Sequence, residues 1–476
     1  MESDILSSLK GGYPHLTEKI LNLLDACSLA NAELVCRQWR SYIADGRFWK
    51  KYLLSKKVTS IPNIFSWAEY SGDNESERQH TKQDWMKIHN FYQKLEDNWR
   101  SASCRQQKIV NYKVECFSMN TKKIFTAGYV ENQWNIKTWN RKSLHCERNF
   151  TDGEKLQIVS MDCDDDFLVT MSIDDWHHDR GDHYYVTPGY YRFDTIGLPS
   201  VSTIFVRELQ SGEVIQKILG NFSRVGSYDN IFKICVGHGL LISHQVVGEL
   251  PNDRVNLGED VLKSRLDIWR MANAREFEAK STVCLVPISE LNLYYYPVLI
   301  GHDENYIVVH RSNPPRFEII STSSLNLTRT IDAFDDCRSA KYKDGLIVSG
   351  FPQRGTRGRS CCIIRIWDAE TGLCLREIQE PDPKLYGNGY HHLVGFTTNY
   401  LITVPDLSMF KKRVIKIRDL SAAIDLHSNQ TSASTVLATL KRDLDKSRCD
   451  CFIVDDFQLV YFHEQEFVVY SFAPQV

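Results

Sequence analysis

Trp176-His-His-Asp-Arg-Gly-Asp-His183, followed by Tyr184 and Tyr185, is the densest set of metal-ligating side chains in this 476-residue chain. His178 and His183 can meet across a loop turn, yet their spacing matches no zinc pattern. A polar loop accounts for the stretch, and no metal or other cofactor is expected. Cys361-Cys362 and Cys449-Asp-Cys451 lie in strand-like runs and read as packed thiols. The chain has no CxxC pair, which speaks against a RING-type zinc domain. It also has no GxSxG, Walker loop, HExxH or kinase set, so no catalytic template is expected. Two charge clusters remain. Arg354, Arg357, Arg359, Lys411, Lys412 and Arg413 are basic, while Asp174, Asp175, Asp179, Asp182, Glu249, Asp253, Glu259 and Asp260 are acidic. Guanidinium forks suit a carboxylate or a phosphate. A solvated charge run explains either cluster taken alone.

Both clusters fall within a repeated β pattern. From residue 101 onward, an apolar strand, a tight turn, a second apolar strand, a variable loop and a third strand recur seven times. The third strands are IKTW (136–139), IFVR (204–207), LDIW (266–269), FEII (317–320), IRIW (364–367), IKIR (415–418) and FVVY (467–470). Their ends lie 47 to 68 residues apart. Seven such units predict a seven-bladed β-propeller over 101–476. The seventh unit stops soon after its third strand, so Arg105-Gln-Gln-Lys-Ile-Val110 is expected to supply the missing strand and cover two sheet edges. Insertions at roughly 174–202, 249–264, 351–361 and 405–413 follow the second strand. They therefore gather on one rim, where long loops on a rigid scaffold carry binding. The basic residues above are the candidate substrate face.

Ahead of the repeats the period changes from two to 3.6. Residues 1–10 form a short tail. Between 11 and 54, Leu16, Ile20, Leu23 and Leu24 share one helical stripe after Pro14. Ser28 is the expected cap of a second helix bearing Leu29, Ala32, Val35, Cys36 and Trp39. Asp45-Gly46 marks a turn before Phe48, Trp49, Tyr52 and Leu53. Three helices this short bury little surface, so a further chain is expected to cover their apolar side chains. Residues 55–100 are a linker. Its polar stretch 71–84 precedes one amphipathic helix carrying Trp85, Ile88, Phe91, Tyr92 and Leu95.

The totals fit this layout. A net charge of −3 gives no field for nucleic acid or an anionic membrane. No apolar run reaches the roughly 18–20 residues that span a bilayer. The first residues, MESDILSSLKGGY, lack the marks of a signal peptide. The 14 Cys then read as reduced thiols, which places the chain in the cytoplasm or the nucleus.

LDACSLANAELVCRQW (24–39) and ADGRFWKK (44–51) resemble the F-box of the F-box/WD-repeat family, closest to its beta-transducin-repeat-containing members. Leu29, the Val35-Cys36 pair, Trp39 and Trp49 carry that likeness over 21 positions. The family's opening Leu-Pro is replaced by Gly12-Tyr13, with proline at Pro14. FYQKLEDNWR (91–100) is similar to the family's joint between F-box and propeller. The resemblance implies a substrate-recognition subunit of a Skp–cullin–F-box ubiquitin ligase that is not itself an enzyme. Its F-box would bind the Skp adaptor, and through it cullin and a RING protein. Pro14, Leu16, Ile20, Leu23, Leu24, Leu29, Val35, Cys36, Trp39 and Trp49 would serve that contact. The propeller would hold a target protein, phosphorylated or not, for ubiquitination and degradation. No dimerisation segment is expected ahead of the F-box. Only Trp367-Asp368 keeps the WD dipeptide at a third-strand end, and Gly237-His238 and Gly301-His302 fall in turns between first and second strands. The WD-repeat hydrogen-bonded tetrad is therefore expected to be largely missing, with apolar packing in its place. Two other classes stay open: an F-box propeller acting as a non-ligase scaffold, and a metal-binding propeller that carries an F-box-like helix set.

Overall fold

A computed structural model of the chain describes residues 16, 19–21, 23–35, 37–44, 47–55, 64, 67, 82–110, 114–131, 133–151, 156–174, 202–220, 233–247, 263–273, 276–285, 298–312, 314–333, 337, 339–354, 360–381, 391–406, 412–420, 436–443, 451–463 and 466–474. It divides into two compact units. The first is Met1–Arg105 with Asp456–Gln458 and Ser471–Val476; the second is Gln106–Asp455 with Leu459–Tyr470.

The first unit is helical. Leu16, Lys19, Ile20 and Leu21 are helical, and they are followed by α1 (Ala26–Val35), α2 (Arg37–Ile43), α3 (Arg47–Ser55) and α4 (Lys82–Ser101). Asp25, not Ser28, caps α1. Its Oδ1 accepts the Ser28 N–H at 2.6 Å, and its carbonyl accepts the Leu29 N–H at 2.8 Å. A carboxylate three residues before the amide it accepts satisfies an otherwise orphaned donor and complements the helix dipole. Ser28 lies inside the helix instead.

The amphipathic helix expected after the polar stretch is α4. It buries Trp85, Ile88, His89, Phe91, Tyr92, Leu95 and Trp99, steps of three and four that keep one face inward. Asp84 in its first turn and Arg100 in its last suit the macrodipole. The inward face covers α3: the Trp49 ring meets His89 edge-on at 5.5 Å, and Lys50 Nζ lies 5.8 Å from the centre of the Trp85 ring. At its other end, Asn98 Nδ2 donates to Phe472 O and Trp99 Nε1 to Asp456 O, both at 2.7 Å, while the Trp99 ring stacks on Phe472. Part of the apolar surface expected to need another chain is therefore covered by this chain's own α4.

The second unit is a seven-bladed propeller of four-stranded antiparallel sheets. The blades span 116–151, 156–220, 233–285, 298–332, 339–381, 391–443 and 451–471, the last completed by Arg105–Val110. Each of the seven third-strand motifs lies on the third strand of its sheet. The strand Arg105–Val110 pairs beside Glu466–Ser471, as expected for ring closure, and Lys108 adds an ion pair to Glu466. Arg141 of blade 1, buried, completes the seam with two contacts to the Asp455 carboxylate at 2.6 and 2.8 Å.

Apolar clusters fill the space between neighbouring blades, such as Val308, Phe317, Ile319, Phe351, Ile363 and Trp367 between blades 4 and 5. Polar ties add to them. Within blades 1, 5 and 6, Trp139, Trp367 and Arg418 on the third strand donate to Thr126, Ser349 and Thr403 on the second, at 3.0, 3.1 and 3.0 Å. In each case the hydroxyl lies two residues beyond the donor's cross-strand partner. Between blades, the Asp162 carboxylate accepts Ser118 Oγ at 3.1 Å and the Val236 N–H at 2.9 Å. Ser160 Oγ accepts the Ile234 N–H, Lys233 donates to the carbonyls of Leu299 and Ile300, and Tyr342 donates to Asp303. Desolvation pushes the Asp162 carboxyl up, against hydrogen bonds that pull it down. First strands are thus tied to one another across successive blades through side chains, where no backbone ladder exists.

Candidate functional site: the exposed apolar surface of the helical unit

Large aliphatic side chains left in water mark a surface meant for a partner when they gather on one small element. In the helical unit, Leu16, Ile20, Leu23, Leu34 and Val35 are exposed, Leu23 by 86 %, Leu34 by 73 % and Val35 by 59 %. The first three follow the i, i+4, i+7 spacing, so the stripe read from the sequence points outward. Among the described residues of that segment, Leu21 is buried. The helix places adjacent residues about 100° apart, so Leu21 can enter the core while Ile20 does not.

The expected contact residues thus separate into three groups. Leu16, Ile20, Leu23 and Val35 are exposed, and Leu24 and Trp39 are half-buried. Leu29 and Trp49 are buried inside the unit, 1 % and 3 % exposed. Pro14 and Cys36 lie outside the described residues. Leu34 is an addition. Leu34 and Val35 are adjacent on α1, about 100° apart around its axis.

The electrostatics of the unit centre on Glu33, which is buried beside Leu34 and paired with Lys82 of α4. Desolvation lowers the Lys82 ammonium from its ordinary range.

On the propeller, the expected substrate residues lie at the ends of strands or between them. Arg354 closes the second strand of blade 5 (Leu346–Arg354), and Lys412 and Arg413 open the third strand of blade 6 (Lys412–Asp419). Their backbones thus stand at the second-to-third-strand end of neighbouring blades. Arg357, Arg359 and Lys411 lie outside the described residues, as does the His178–His183 cluster. Stretches 175–201, 248–262, 355–359 and 407–411 all connect second to third strands. Among the described residues, no group of three or more metal-ligating side chains gathers, and no helix is long and apolar enough to cross a membrane.

The chain thus joins a small helical unit with outward aliphatics to a seven-bladed propeller. An F-box-like family model matches residues 14–55. The chain carries an F-box-like domain and is homologous to F-box proteins with WD repeats. It is 30% identical over 169 residues to "F-box and WD repeat domain-containing 11-A" of Danio rerio, covering 32% of this chain and 29% of that protein. It is 29% identical over 131 residues to an F-box protein of Saccharomyces cerevisiae, covering 24% and 20%. The matches thus span less than a third of either relative. A chain of a crystal structure of the mitotic checkpoint complex superposes with a TM-score of 0.44 at 11% identity, over 77% of this chain and 90% of that one, a likeness that carries no argument about function.

Proposed function

We propose that this protein is the substrate-recognition subunit of a Skp–cullin–F-box ubiquitin ligase, at work in the cytoplasm or nucleus. The observation that carries this reading is the set of outward aliphatics on the F-box-like helices. Leu16, Ile20, Leu23, Leu34 and Val35 offer the docking surface for a Skp adaptor, with Leu24 and Trp39 at its margin and Pro14 and Cys36 next to it in sequence. Leu29 and Trp49 act from within, by keeping the helices in place. Cullin and a RING protein join through the adaptor.

The chain makes and breaks no bonds. Its propeller holds a target on the rim bearing the second-to-third-strand connections, where Arg354, Arg357, Arg359, Lys411, Lys412 and Arg413 favour an acidic or phosphorylated segment. Holding a target lysine near a ubiquitin thioester raises its effective concentration, which is how such a subunit accelerates transfer. Co-purification tests the adaptor half. A Skp adaptor expressed with the intact chain should elute with it in equal amounts, and a Leu23→Asp, Leu34→Asp variant with an unchanged circular dichroism spectrum should lose it. Retention of the adaptor by that variant overturns the assignment of the surface.

A further inference from the structure

Glu33 immediately precedes the two exposed residues at the end of α1. It is buried, and one carboxylate oxygen meets Lys82 Nζ. Its other oxygen, Oε1, accepts no hydrogen bond among the described residues, so neutralisation of this buried charge rests on Lys82. Lys82 is the first residue of α4 and stands 49 positions from Glu33. Helix α4 is in turn held on α3 by Trp85 under Lys50 and by His89 against Trp49. Neighbouring residues on a helix point in fixed relative directions. A tether on Glu33 therefore sets the rotation of α1 about its axis, and with it the directions of Leu34 and Val35.

Building on the adaptor-docking reading above, we propose that the Glu33–Lys82 pair is a positioning clasp, by which α4 fixes α1 so that Leu34 and Val35 meet the adaptor as a preset surface. The docking module thus extends beyond residues 14–55 into α4, and Lys82 serves docking without touching the partner. Presetting lowers the ordering cost of association, so its loss appears in affinity. The two partners differ in a testable way. Removing Lys82 strands a buried carboxylate, whereas removing the charge of Glu33 leaves a lysine with access to water.

The test uses the intact chain and a purified Skp adaptor, with calorimetric affinity, thermal midpoint and amide exchange over 29–35 as readouts. Lys82→Met should weaken binding about tenfold or more and speed exchange in α1. Glu33→Gln should weaken it less. The double variant Glu33→Gln, Lys82→Met leaves no buried charge unpaired, so it should regain the thermal midpoint, yet it lacks the tether and should bind as weakly as Lys82→Met. Recovery of affinity together with the midpoint would mean that Lys82→Met acts through stability alone and would overturn the clasp. If Lys82→Met binds within twofold of the intact chain while Leu34→Asp does not bind, the clasp is refuted and the docking reading stands. If the intact chain itself does not bind the adaptor, the docking reading fails and the clasp proposal falls with it.

Discussion

Leu29 and Leu34 are five residues apart on α1, yet substituting each with alanine should act on different quantities. Leu29 is 1 % exposed and Leu34 is 73 % exposed. A buried leucine truncated to alanine costs about 2–5 kcal/mol of stability, through lost transfer energy and the cavity left behind. Leu34→Ala removes a side chain that already lies mostly in water, so stability should change by no more than about 0.5 kcal/mol. In the complex the order reverses. Complete burial of a leucine side chain contributes about 1.5–3 kcal/mol. Roughly three-quarters of that remains to be gained at Leu34, so its loss should cost about 1–2 kcal/mol, or about 5- to 30-fold in Kd. The assay pairs urea unfolding, followed by helical ellipticity, with calorimetric titration of a Skp adaptor. Leu29→Ala should lower the unfolding midpoint, and Leu34→Ala should leave the midpoint alone and weaken binding. An equal fall in midpoint for both, with Kd unchanged for Leu34→Ala, would refute the division into core and docking residues.

Other consequences follow from the propeller. Gly372 has φ +76°, and an added Cβ would lie 2.8 Å from Arg329 Cδ of the neighbouring blade, where Arg329 Nη1 also donates to Thr371 O; Gly372→Ala should lower the melting temperature, and an unchanged value would contradict the packing at that turn. Trp367→Phe removes the donor to Ser349 Oγ from a buried site and should cost about 1–2 kcal/mol in urea unfolding, against a negligible change for Ser143→Ala in an exposed turn. Burial lowers His244 to about 3 and His310 to about 4, so both are neutral in the folded chain. Their contribution is complete above the unfolded value near 6.5 and is lost as pH falls towards 4, because the unfolded state takes up protons that the folded state refuses. The slope should be on the order of 1 kcal/mol per pH unit for each histidine, and His310→Gln should flatten it.

The propeller was legible because its period is local. Each third strand carries its apolar motif, and the seventh unit's lack of a fourth strand pointed to Arg105–Val110. The ties between blades were not legible, because they join residues distant in sequence. Asp162 meets Val236, 74 positions away, and Gln216 exchanges two hydrogen bonds with the backbone of Phe277, 61 positions away. In the helical unit, spacing gave the stripe Leu16, Ile20 and Leu23 but not its direction. Only the packing of Leu21, and the α4 residues Trp85 and His89 lying against α3, show which face is taken. Asp25 and Ser28 are both good caps by type, and the hydrogen bond between them decides in favour of Asp25.

Calorimetric titration of the intact chain with a purified Skp adaptor tests the central claim most directly. Saturable one-to-one binding with a negative heat-capacity change is expected, as the exposed aliphatics leave water. Absence of binding heat at several temperatures, with no co-elution by size exclusion, would contradict it.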